Sequence, residues 1–349
     1  MSSKVAAVEF DKGNIQESLN KALQLIGTDT PTTSHHPVVI KVGVYSHKTE
    51  NHSTIDVVKS IINAFSNAPA IYIAESDNTQ GTGLERLQLW KELFTGRVVP
   101  FNLSDDTNTK RVTLAGQEMD LSHILFKPHI LVDTHILRSY ERGSILKNLF
   151  GCVPYRKKVI YHKVLPTLLA DIYETIGGVD LAVLDGTYFF RKTGGIKVRT
   201  NTLLVGSDAV AVETVGAILA GMGPEKMLEL QEFVQRGLGE GDINNIEVVG
   251  IPFDTLQEKF AKASETLEEL YAQAPKPWSP AEAVNSLIER GFFDPPHKRT
   301  KEEVKKALEA DDPRAKGRSK MIMATLRRRA KKGVIKSEKG PEGWIFWKE

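Results

Sequence analysis

The chain has 349 residues, 41% of them hydrophobic, with a formal net charge of +2, enough to bury a sizeable core and to form more than one domain. No apolar run approaches the roughly 20 residues that cross a bilayer, and MSSKVAAVEFDKGN has no charged leader, apolar stretch or cleavage site, so a cytoplasmic protein without membrane contact is expected. The single cysteine, Cys152, excludes an intramolecular disulfide and a four-thiolate iron–sulfur cluster.

Asn14 with Glu17 three positions on predicts a capping-box start, after which Ile15, Leu19, Leu23 and Ile26 share a helical face that Gly27 closes. Residues 38–44 predict a buried strand, 54–65 a helix with Ile55, Val58, Ile61, Ile62 and Phe65 inward, 70–74 a strand, and Leu84 to Phe94 a helix. Short Val-, Ile- and Leu-rich strands follow at 97–101, 129–133, 180–184, 202–206 and 246–250. A helix from Ser207 carries Ala209, Ala211, Gly216, Ala217 and Ala220, small residues that permit close packing and a central place. A last helix, 255–273, sets Leu256, Phe260, Ala263, Leu267, Leu270 and Tyr271 on one side. This alternation predicts an α/β body over 1–273, built on an open, mostly parallel, doubly wound sheet.

Prolines in Ala274-Pro275-Lys276-Pro277-Trp278-Ser279-Pro280 stop the helix and predict a linker over 274–280. Residues 281–349 then form the second expected domain. Its elements are helices at 280–290, 300–310 (Thr300 and Glu303 as a capping box) and 318–332 ending at Gly333, then a hairpin of Val334–Lys336 and Trp344–Trp347. Three helices and a hairpin resemble a winged helix-turn-helix. Residues 297–339 hold 16 Lys and Arg against 6 Asp and Glu, a basic tail on an acidic body. Arg318, Ser319 and Lys320, at the third helix's start, are placed to read base edges, with Arg327, Arg328, Lys331, Lys332 and Lys336 for phosphates. A solvated basic face on a protein-docking module is the alternative.

Ligands of open α/β sheets bind beyond the carboxyl ends of the strands, where strand order reverses. Lys41, Glu75, His135, Asp185 and Asp208 are expected near such ends. Lys41, Glu75, Ser207 and Asp208 are candidates for holding a ligand or cofactor, and Glu75, Asp185 and Asp208 for holding a divalent metal. Between Asp133 and Lys163 unlike polar groups crowd around turn residues. There Lys147 suits binding an anionic group, Asn148 orienting it, and His135 or His162 general acid–base work or metal ligation. Bland readings stand beside these: Ser207-Asp208 as a helix cap, Asp185-Gly186 as a turn, the histidines and Cys152 as packed core groups. Gly81-Thr82-Gly83 lacks the dinucleotide fingerprint because Arg86 replaces its third glycine. His35, His36, His47 and His52 match no zinc spacing and are read as surface residues.

Taken in order, Val38–Val42, Glu75-Ser76, Thr134-His135, Lys147-Asn148-Leu149-Phe150-Gly151, Tyr161-His162, Asp185-Gly186, Gly206–Glu213 and Ile246–Gly250 resemble the uncharacterised domain family numbered 362, over about residues 36–251. The resemblance implies a site gathered from these motifs and associates some members with an iron–sulfur cluster, which one cysteine cannot hold. It names no reaction. The chain departs from the pattern with Asp133 in place of Lys, no Glu in the loop Thr187 to Gly195 (which carries Arg191 and Lys192), Gly43 for Asn and Glu213 for Asp. These departures favour sensing: a body that binds a small anionic ligand, joined to a DNA-binding tail as a ligand-responsive regulator, with homodimerisation open. The alternative is a metal-assisted or acid–base enzyme whose tail docks a protein.

Overall fold

A computed structural model describes residues 3–11, 13–28, 35–191, 195–274, 278–341 and 343–349, and the chain divides into units Met1–Gln273 and Ala274–Glu349. Lys192, Pro275, Lys276 and Pro277 lie outside the described residues.

In the larger unit, the apolar runs become β1 (Ser3–Glu9), β2 (Val38–Val42), β3 (Ile71–Glu75), β4 (Val98–Asn102), β5 (Thr109–Leu114), β6 (Gln117–Ser122), β7 (Ile130–Ser139), β8 (Leu181–Arg191), β9 (Lys197–Gly206) and β10 (Ile246–Gly250). Eight of them form one sheet in the order β10-β1-β9-β8-β7-β2-β3-β4. It is the open, mostly parallel sheet expected. Only β9 runs antiparallel, to both β1 and β8, which the sequence did not disclose. β5 and β6 make a separate hairpin, with Ala115 and Gly116 at φ 47° and 74°, as a tight two-residue turn needs.

The sheet is wound on both faces. Helices Ile15–Ile26 and Ile55–Ala64 cover one, burying Leu19, Leu23, Val57, Val58 and Ile61 against Val38, Ile40, Ile71 and Ile73. Helices Leu165–Ile176, Ala209–Leu219 and Phe253–Gln273 cover the other, against Val5, Val39, Leu131 and Leu184. Ala209–Leu219 is buried nearly all round, as its small residues predict.

Two local expectations fail. Asn14 makes no cap bond to the helix it precedes, since its Oδ1 accepts the Asp11 N–H at 2.8 Å instead. Residues 84–94 are a short helix, Gly83–Leu87, followed by a 3-10 turn, Gln88–Leu93, which breaks at the fully buried Trp90. The short helix opens with a capping box between Thr82 and Glu85.

From β2 the chain proceeds outward to β3 and β4, whereas β7 enters on the other side of β2 and is followed by β8. Strand order therefore reverses between β2 and β7, and the crevice beyond Val42 and Thr134 is where a doubly wound sheet offers a site.

The smaller unit has helices Pro280–Glu289, Lys301–Asp311 and Ser319–Lys331. Strands β11 (Arg299–Thr300), β12 (Lys336–Gly340) and β13 (Gly343–Trp347) form an antiparallel sheet in the order β11-β13-β12. Its core joins Val284, Leu287, Phe293, Val304, Leu308, Ile322, Leu326, Ile335 and Phe346. Thr300 and Glu303 form the expected capping box. Among the described residues no helix is long and apolar enough to cross a membrane.

Candidate functional site

Lys41 and Asp133 are opposite one another in the parallel β2–β7 pairing, so their side chains leave the same face of the sheet. Both are completely buried. The Lys41 ammonium spends its three donors on Glu75 Oε2 at 2.9 Å, Asn148 Oδ1 at 2.9 Å and the Val42 carbonyl at 3.0 Å. Asn148 Nδ2 donates to Asp133 Oδ1 at 2.7 Å and to the Lys41 carbonyl at 3.0 Å. Glu75 Oε1 accepts the Ser76 N–H at 2.8 Å and lies 3.8 Å from the Arg86 guanidinium. Arg86 also donates to the Val44 and Ser76 carbonyls, and Lys158 donates to the Ser76 hydroxyl. The turn Leu149–Cys152 closes over the network with Gly151, where a Cβ would stand 2.4 Å from Lys41 Nζ.

Burial raises the cost of every charge here, and the partners decide which survive. For Glu75, burial pushes the pKa up, but Lys41, Arg86 and Lys158 together outweigh it and hold the carboxyl below its ordinary value. Asp133 goes the other way. Burial pushes it up to about 8, against the Asn148 hydrogen bond and Lys41, and its Oδ2 has no partner. Burial brings Lys158 down to about 8 and pushes Cys152 up to about 12. At neutral pH, then, Asp133 is a neutral acid, Cys152 an inert packed thiol, and Lys41, Arg86 and Lys158 surround one ionised carboxylate.

Lys147 and Asn148 are neighbours on the helical turn Ile145–Asn148 and so point about 100° apart. Asn148 enters the network while Lys147, half-buried, lies 3.8 Å over the Phe150 ring. Burial, then Arg138, lowers the Lys147 pKa to about 7. The Phe150 ring in turn packs on His162, 5.4 Å away on an exposed 3-10 turn. His135 is buried, with Nδ1 3.2 Å from the Ile136 carbonyl, and burial holds its pKa well below the usual value. Its ring occupies the space a side chain at position 43 would need: a Cβ on Gly43 would stand 1.8 Å from it. Gly43 is therefore the partner of this histidine's position.

The proposed metal set does not assemble. Asp185 Oδ2 accepts the Thr54 N–H and hydroxyl at 2.7 and 2.9 Å, and Oδ1 accepts those of Thr187 at 2.8 and 2.6 Å. Its two oxygens thus take four hydrogen bonds from Thr54, the residue before the helix Ile55–Ala64, and from Thr187, and it has no lone pair to spare. Ser207 and Asp208 lie at the far end of the sheet from Glu75, because antiparallel β9 brings Gly206 beside Ala182 at the start of β8. Asp208 caps its helix through the Val210 and Ala211 N–H groups and accepts from Ser3 and Glu240, while Ser207 is exposed. Among the described residues no three His, Cys, Asp or Glu gather as a metal site. Of the four histidines near β2, His35, His36 and His47 are exposed, but His52 is half-buried against Trp90, at 5.4 Å.

Sequence reasoning passed over Arg86, Ser76 and Lys158 as members of the network. Nothing local marks either cation: Arg86 sits in the polar helix Gly83-Leu84-Glu85-Arg86-Leu87, and Lys158 ends the basic run Arg156-Lys157-Lys158. It also passed over a second buried pair. Glu213 accepts the Ser144 and Leu146 N–H groups at 2.8–2.9 Å, and burial raises its pKa against those bonds. Arg138 beside it is buried, brought down to about 10, with Nε unpartnered. A surface cavity of about 410 Å³, lined by Ile218, Leu219, Phe260, Ser264, Glu265 and Glu268, includes none of these residues.

In the smaller unit Arg318, Lys320, Arg327, Arg328, Lys331, Lys332 and Lys336 are exposed and Ser319 is half-buried. Arg327 lies over the Trp344 ring at 5.0 Å, and Lys336 is 3.5 Å from Glu349. Arg329 is tied to Asn285 at 2.8 Å.

A family model described as "Domain of unknown function (DUF362)" matches residues 38–218, more than half of the chain. The chain belongs to the DUF362 family. The matched DUF362 span contains Lys41, Glu75, Arg86, Asp133, Asn148 and Lys158, the whole charged network, and ends within the helix Ala209–Leu219. The smaller unit lies beyond it. No curated protein matches the chain.

Proposed function

We propose that the DUF362 body binds a small anion at the Lys41–Glu75–Lys158 network and that the smaller unit binds duplex DNA, which makes the protein a ligand-responsive regulator. One observation carries the first half: three buried cations share a single ionised carboxylate while the nearby Asp133 is neutral. Surplus charge in a dry interior is costly, and a docking anion offsets it. Lys158, at 8% the most exposed member, meets the anion first. For the second half, the helix-strand-helix-helix-strand-strand order is that of a winged helix, the exposed Arg328, Lys331, Lys332 and Lys336 suit a phosphate backbone, and Arg318 and Lys320 at the start of the third helix suit base edges.

The test is a thermal melt of the full chain with inorganic phosphate against chloride at matched ionic strength. Specific stabilisation that is lost in Lys158→Ala is expected; equal stabilisation in wild type and variant removes the anion reading.

A second reading rests on Lys147, whose amine is partly neutral near pH 7 and could act as a general base beside His162. In that enzyme the smaller unit docks a protein. Chemical conversion of a bound anion, followed by mass spectrometry and abolished in Lys147→Met, would favour it.

A further inference from the structure

We propose that the segment Tyr155–Lys163 docks on an anionic lipid surface. Val159 and Ile160 are 68% and 66% exposed and Tyr155 is 39% exposed. Val159 and Ile160 begin a 3-10 turn, Val159–Val164, so their side chains diverge by about 120° around its axis and both reach solvent. Arg156, Lys157, His162 and Lys163 surround them, all exposed, and the nine residues include no Asp or Glu. The acid that Arg156 faces is Glu85, already engaged by the Thr82 N–H at 2.7 Å.

The knob is held from beneath. Lys158 turns inward to Ser76, the Pro154 carbonyl accepts the Ser104 hydroxyl, and Tyr155 stacks at 6.3 Å on the buried Tyr161. Its aliphatic tips are thus presented to solvent by a fixed base.

Chemistry selects the occupant. A protein interface of ordinary size buries about 800 Å² per partner, far more than two protruding side chains offer. Nucleic acid would use the basic ring and gain nothing from Val159 and Ile160. A bilayer takes a few aliphatic side chains into its acyl boundary while Lys and Arg meet anionic headgroups. The assignment does not rest on anion binding in the body: Val159, Ile160 and the exposed basic side chains take no part in the charged network, which the segment touches through Lys158.

The basic smaller unit would also attract anionic vesicles, so the readout must sit at the knob. An Ile160→Cys full chain carrying an environment-sensitive dye, with Cys152 too buried to label, is titrated with phosphatidylcholine vesicles and with mixed phosphatidylcholine–phosphatidylserine vesicles. A blue shift with the mixed vesicles alone is expected. Adding Arg156→Ala, Lys157→Ala and Lys163→Ala should weaken the midpoint about 100-fold, roughly fivefold for each basic side chain; these residues are exposed, so an unchanged melting temperature confirms folding. Vesicle co-sedimentation without a dye shift would overturn the proposal, as would a shift produced by an acidic peptide or duplex DNA and not by vesicles.

Discussion

Gly151 passes so close to Lys41 that a Cβ on it would stand 2.4 Å from the ammonium nitrogen and 2.6 Å from Glu75 Oε1. The buried ion pair exists because this position has no side chain. Gly151→Ala must displace either the turn or the pair, at a cost of about 3 kcal/mol. Chemical denaturation of the full chain, followed by far-UV circular dichroism, measures it; a loss under 1 kcal/mol would show that the turn yields freely.

His135 and Gly43 share one volume, and a double-mutant cycle should reveal it. Gly43→Ala alone forces the buried ring aside and destabilises by about 2 kcal/mol. In a His135→Ala background the same change should cost little, giving a coupling above about 1 kcal/mol. Additive losses would contradict the packing described.

Asp133 makes stability depend on pH. Its folded pKa, about 8, lies above the ordinary 3.8, so the folded state keeps a proton that the unfolded chain releases. Stability attributable to this group is therefore greatest at acid pH and falls as pH rises from about 4 to about 8. Asp133→Asn, which keeps an oxygen for Asn148, should remove that loss. Relative to wild type the variant gains up to about 1.4 kcal/mol per pH unit across the window, then levels off. Parallel stability–pH profiles would rule out a buried neutral carboxyl.

Lys147, brought down to about 7, should react with an amine-directed acylating reagent at neutral pH faster than ordinary exposed lysines, which remain protonated. Peptide mapping by mass spectrometry at short exposure gives the order of labelling. If Lys147 is labelled last, burial limits access more than protonation does.

DNA binding by the smaller unit should be steeply salt-dependent. Lys331→Ala and Lys332→Ala should each reduce the slope of log K against log salt by about 1 while leaving sequence preference unchanged. Fluorescence anisotropy with a duplex across a salt series provides the measurement, and absence of binding at low salt would remove the DNA half of the proposed function.

The sheet was legible because its strands are continuous apolar runs: the strand expected at 246–250 is Ile246–Gly250, and that expected at 70–74 is Ile71–Glu75. β1 and the β5–β6 hairpin were not read. β1 opens on the polar pair Ser3-Lys4, while β5 is largely exposed and the two strands of the hairpin carry Lys110, Arg111, Glu118 and Asp120 among their apolar residues. Strand direction is set by tertiary pairing and leaves no local mark, which is why Asp208, adjacent in motif order to Asp185, lies at the other end of the sheet. Within the site, Lys41, Glu75 and Asn148 stood out as polar residues in apolar runs. Arg86 and Lys158 did not, because only the fold turns those two inward.

Strand β1 is hydrogen-bonded on one side to β9 and on the other to β10, segments that come only at Lys197–Gly206 and Ile246–Gly250. The earliest strand is thus a keystone waiting for its neighbours. During synthesis its apolar row, Val5 to Val8, stays without its final partners until Gly250 has emerged. Assembly of the β10-β1-β9 side must therefore come late, after β2, β3 and β4 have joined through their short crossovers. A chain cut before Ile246 would keep the charged network but present β1 as a bare edge, ready to pair with another molecule.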